Sequence, residues 1–76
     1  MKTTVYLYYS SYGSNKHDVL VIQVGGEPYD TVRNSHFMLD PHDKEFGNNF
    51  FHFVSPYLSD DYEVKFIQSK PQKTNK

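Results

Sequence analysis

Phe46, Phe50, Phe53, Val54 and Tyr57 recur at i, i+4, i+7, i+8 and i+11, the spacing that lines one face of a helix. No other window of the chain holds as much apolar surface. Burying one Phe side chain is worth roughly 1.5–3 kcal/mol, so this cluster is large enough to supply much of a small core. The chain needs that, because 76 residues make one small domain with no room for a second core. Its apolar fraction is only 37%, but 17% of its residues are aromatic, so a few large rings must bury the area.

Asp40-Pro41 predicts the start of this helix, with Asp as N-cap and Pro at the first helical position. Asp43 and Glu45 then fall in the first turns, where negative charge suits the helix dipole. Pro56 pushes Ser55 out of the α region, so the predicted helix runs from Pro41 to about Ser55. Gly47, Asn48 and Asn49 are poor helix formers. A Gly-Asn-Asn loop followed by a strand over 50–55, in an all-β fold, is therefore the competing reading.

Upstream, Thr3–Tyr9 alternates, with Val5, Leu7 and Tyr9 on one face and Thr4, Tyr6 and Tyr8 on the other, which predicts a strand. Residues 10–16 are a loop by composition and contain one large ring, Tyr12. The nearly continuous apolar run in Asp18–Val24 suits a central strand covered on both faces. Gly25-Gly26 predicts a two-residue hairpin turn into an edge strand, Glu27–Arg33. That hairpin would set Ile22 opposite Tyr29, Leu20 opposite Thr31 and Asp18 opposite Arg33. His36–Leu39 reads as a fourth strand, or as an extended connection that drops Phe37 and Leu39 into the core. After a turn at 59–61, Tyr62–Gln68 predicts the last strand. The expected fold class is α+β: a small antiparallel sheet of three to five strands with one helix packed on one face. Residues 1–69 are the expected single domain, and 70–76 a basic, disordered tail.

The tail carries three lysines and no acid, which leaves five basic against nine acidic side chains in residues 1–69, about −4. That balance disfavours direct nucleic-acid binding by the body and favours a protein partner with a basic surface. There are no cysteines, so disulfides and thiolate metal sites are excluded. No apolar run approaches the length of a membrane span or of a signal-peptide core, so no membrane partner and a cytoplasmic location are expected.

Catalytic motifs are missing. The four histidines have no ligand spacing, and no serine stands in a nucleophile elbow. Gly25-Gly26 lacks the surroundings of a phosphate loop. Asp40, His42 and Asp43, with His36 upstream, form the densest polar group. It is readable as a helix start rich in capping residues or as a divalent-metal site for a small metal-dependent enzyme. The expected reading is capping, with no metal and no cofactor. The tyrosines offer more. If the helix covers the Val5/Leu7 face, Tyr6 and Tyr8 are left on an open face near Tyr12 and Tyr29. Tyrosine at an interface offers large area with little rotamer entropy.

In size and composition the chain is similar to small mobile-element proteins that bind a host machine stoichiometrically, including anti-restriction and anti-CRISPR inhibitors. The likeness is one of profile, since no stretch carries a family motif. The expected function is a non-enzymatic protein-binding module, a candidate inhibitor of a host nuclease or nucleic-acid-binding complex. Its expected contact surface is Tyr6, Tyr8, Tyr12 and Tyr29, rimmed by Asp40, Asp43, Asp60 and Asp61. A single-stranded nucleic-acid binder using the aromatic face is the alternative, and an open sheet edge also admits a homodimer.

Overall fold

The computed structural model describes residues 2–11, 17–30 and 33–68. Among them are four strands and one α-helix, in the order β1 (Thr3–Ser10), β2 (Val19–Val24), β3 (His36–Leu39), α1 (Phe46–Val54) and β4 (Tyr62–Phe66). They form a small α+β fold on one sheet ordered β3-β2-β1-β4. The sheet is mixed. β1–β2 and β2–β3 pair antiparallel, but β1–β4 is parallel, with Thr3 opposite Tyr62 and Leu7 opposite Phe66. The expected antiparallel pairing holds for two of the three strand pairs; β1–β4 departs from it, and the reason is topological. β3 already runs in the direction of β1, and the connection through α1 returns the chain before β4 starts, so β4 runs that way again.

Pairing places Val5, Leu7 and Tyr9 on the same face as Val24, Ile22 and Leu20, and Leu20 opposite Leu39. Val5, Leu7, Leu20, Ile22 and Leu39 are buried there in one cluster with Val54 of α1. Phe46, Phe50, Phe53 and Tyr57 are half-buried against the same cluster, so the spacing that predicts the helix is also the spacing that reaches the core. Residues 50–54 are helical, which removes the all-β alternative. The helix ends at Val54, but Ser55 is not pushed out of the α region as expected. It keeps φ −49° and ψ −44° and opens a single 3₁₀ turn, Ser55–Tyr57, in which Pro56 sits near the start, where its missing N–H is tolerated.

Its start is later than expected. The helix begins at Phe46, with Glu45 as cap residue and no side-chain cap. The Asp40 carboxylate accepts the backbone N–H of His42, and the Asp43 carboxylate that of Glu45. Asp43 N–H donates to the Asp40 carbonyl, and Phe46 N–H to that of Asp43. Short acidic side chains thus hold successive turns over 40–45 in place of a helical first turn.

The hairpin is the larger correction. β2 pairs with β3, placing Ile22 opposite Phe37 rather than Tyr29, and Val24 N–H donates to the Ser35 carbonyl. Gly25 and Gly26 do take positive φ (+77° and +79°), but Tyr29 also has φ +72°, and Asp30 N–H closes a second turn onto the Glu27 carbonyl. Pro28 has no N–H for a ladder. Arg33 N–H bonds to the Asp30 carboxylate instead of extending opposite Asp18. The expected partner Thr31, Tyr12 and the 70–76 tail lie outside the described residues. No helix among the described residues is long and apolar enough to cross a membrane.

Candidate functional site

Two polar clusters stand out, one buried and one open. The buried cluster lies on the sheet face opposite the apolar core, where Tyr8, Val21 and Gln23 are 1%, 0% and 0% exposed. The Tyr8 hydroxyl donates to Gln23 Oε1 at 2.6 Å. Gln23 Nε2 donates to the carbonyls of Gly25 at 3.0 Å and Glu27 at 2.5 Å, so both its protons and its oxygen are used. The Tyr29 ring meets Tyr8 edge-on with centroids 4.9 Å apart, and its hydroxyl donates to the Gln68 carbonyl. Burial pushes the Tyr8 hydroxyl up to about 12, helped by the Asp30 charge and by Tyr29. This cluster pins the 25–30 segment over the sheet.

The expected open tyrosine face is thereby corrected at its centre. Tyr8 is covered, while Tyr6 and Tyr29 are half-buried. Gln23 went unnoticed in the sequence. Its signal is a lone carboxamide inside an otherwise apolar strand, directly before two glycines.

The expected acidic rim is also divided. Asp40 follows the end of β3, whereas Asp60 and Asp61 precede the start of β4. β3 and β4 run in the same direction at opposite edges of the sheet, so the two acidic groups lie at opposite corners. All four rim carboxylates are exposed. Asp43 is committed to the turn that precedes α1.

The open cluster joins His17, Asp40 and His42. His17 stands just before β2, and Asp40 and His42 just after β3. Since Leu20 pairs with Leu39, the sheet register brings those two ends together. His17 Nε2 lies 2.8 Å from Asp40 Oδ1, His42 Nδ1 lies 3.5 Å from the same oxygen, and the ring centroids are 4.1 Å apart. One ligand atom from each residue falls within a 4.8 Å group. The His42 backbone N–H, and then His17, hold the Asp40 carboxyl below its ordinary value. Asp40 and His42 belong to the polar group seen in the sequence, but Asp43 and His36 do not join them. His36 Nδ1 lies 2.7 Å from the Asn34 carbonyl. The third member, His17, comes from 23 residues upstream of Asp40, a distance no spacing motif covers. No known protein family, curated protein or solved structure matches the chain.

Proposed function

We propose that this chain is a non-enzymatic protein-binding module for a partner with a basic surface. The observation that carries the reading is that, of five large apolar side chains exposed among the described residues, three are about two-thirds exposed: Phe51 at 68%, Leu58 at 64% and Phe66 at 67%, with Phe37 and Met38 less so. In a chain with so little apolar material, leaving three such groups in water forgoes several kcal/mol of burial. Contact with a partner recovers it, and phenylalanine rings such as Phe51 and Phe66 are enriched at the centres of interfaces. Leu58 precedes and Phe66 ends β4, an edge strand whose Glu63 and Lys65 are exposed. Asp60 and Asp61 stand exposed between Leu58 and β4, where they steer a basic partner toward the anchors. The contact surface thus moves from the tyrosine face to the surroundings of β4 and the outer side of α1. In its narrower form the module is a small inhibitor of a host nuclease or nucleic-acid-binding complex, with these acids standing where phosphates would.

The test compares wild type with a Phe51→Ala/Leu58→Ala/Phe66→Ala variant in untagged affinity capture from native-host lysate, followed by light scattering. One stoichiometric partner, held by wild type and released by the variant, is the expected result. A partner held equally by both rules out this surface, and a doubled mass without a partner replaces the reading with a homodimer. The inhibitor form further requires nucleic acid to compete with the chain for that partner.

A further inference from the structure

We propose that His17, Asp40 and His42 form a binding site for a divalent transition-metal ion of the zinc class. The inference is independent of the protein-binding reading. It rests on donor chemistry and on geometry.

Two imidazoles and one carboxylate are a ligand set for zinc and its borderline neighbours, whereas magnesium and calcium favour oxygen alone. Tetrahedral coordination at about 2.0–2.1 Å separates neighbouring ligand atoms by about 3.3 Å. The His17–Asp40 and His42–Asp40 separations of 2.8 and 3.5 Å bracket that value. The three ligand atoms all lie within 4.8 Å of one another, so side-chain rotations of about an ångström bring them to tetrahedral separation. The three residues come from two segments held by the β2–β3 register, so the framework that brings them together exists before any ion arrives.

Exposure sets the kind of site. Side-chain exposure rises from 30% at His17 through 48% at Asp40 to 69% at His42, so the ion would be reached from solvent and keep water in its remaining position. Three protein ligands with an open position differ from the closed four-ligand structural zinc site. The other two histidines are placed elsewhere: His36 beside the Asn34 carbonyl, and His52 on α1 against Phe53. They serve as internal controls.

The same three groups also have a metal-free role to be distinguished, since the His17–Asp40 hydrogen bond by itself ties the entry of β2 to the exit of β3. The experiment is equilibrium dialysis of the untagged full chain against Zn²⁺, with thermal unfolding of the same samples. Wild type should take up one ion per chain with a Kd on the order of 10 μM or tighter. At tenfold excess over that Kd, zinc should raise Tm by roughly 5–10 °C. His17→Ala, Asp40→Asn and His42→Ala should each weaken uptake at least about tenfold and lose most of the Tm rise, while His52→Ala changes neither. Excess Mg²⁺ should not displace the zinc. Since His42 is largely exposed, its variant separates loss of a ligand from loss of fold. Failure of wild type to saturate at one ion, or saturation that survives all three substitutions, overturns the site. Variants that lower the metal-free Tm while zinc leaves wild type unmoved identify a metal-free tie, and overturn it equally.

Discussion

Tyr8 and Gln23 show how much one buried hydrogen bond can organise. A carboxamide with no exposed surface has to satisfy two protons and an oxygen, and Gln23 does so with Tyr8 and the Gly25 and Glu27 carbonyls. Tyr8→Phe leaves Gln23 Oε1 without its donor, and should cost about 1–3 kcal/mol at neutral pH. The alkaline limb tests the same bond. The folded hydroxyl titrates near 12 against 10 for an ordinary tyrosine, so the folded state keeps a proton that the unfolded chain releases in that interval. The stability contributed is therefore full below pH 10 and lost as pH rises toward 12, on the order of 2–3 kcal/mol. Urea unfolding at pH 8, 10 and 11.5 should show a steeper decline for wild type than for Tyr8→Phe. Equal slopes would mean that this hydroxyl is not the group responsible.

At the scale of elements, two glycines have opposite meanings. Gly47 lies in α1, and a Cβ built there meets nothing within 4 Å. Gly47→Ala should raise stability by about 0.5–1 kcal/mol, because glycine loses more backbone entropy on entering a helix and no packing opposes the methyl. Gly26 has φ +79°, and a Cβ there would fall 2.2–2.4 Å from the Asn34 side chain. Gly26→Ala should cost about 1–3 kcal/mol through backbone strain and displacement of Asn34. Thermal or urea unfolding of the pair checks both signs, and a stabilising Gly26→Ala would contradict the turn geometry described for 25–30.

For the whole molecule, the relevant quantity is charge. The body carries about −4 before the lysine tail, with Asp60, Asp61 and Glu63 exposed at the corner where β4 begins. Long-range attraction to a basic partner acts on encounter, and salt screens it beyond about 8 Å at physiological ionic strength. For the partner captured by wild type, raising salt from about 50 to 500 mM should lower the association rate several-fold and change dissociation far less. An association rate indifferent to salt would remove the acidic group from the interface and leave the apolar side chains as its basis.

Local periodicity was enough to find β1, β2, α1 and β4, though it also predicted a strand from Glu27 where the chain turns and a helix start five residues too early. The alternation of Val5, Leu7 and Tyr9, the apolar run through Val19–Val24, the strand starting at Tyr62, and the helical spacing of Phe46, Phe50, Phe53 and Val54 all follow from backbone geometry acting within a few residues. Which elements meet did not follow from it. β2 takes β3 instead of residues 27–33, β4 joins β1 in parallel, and Tyr29 closes over Tyr8, because each depends on contacts distant in sequence and on Gln23 binding the loop carbonyls. The candidate metal site has the same origin. Asp40 and His42 are neighbours in the chain, but His17 reaches them only through a strand register that no local pattern encodes.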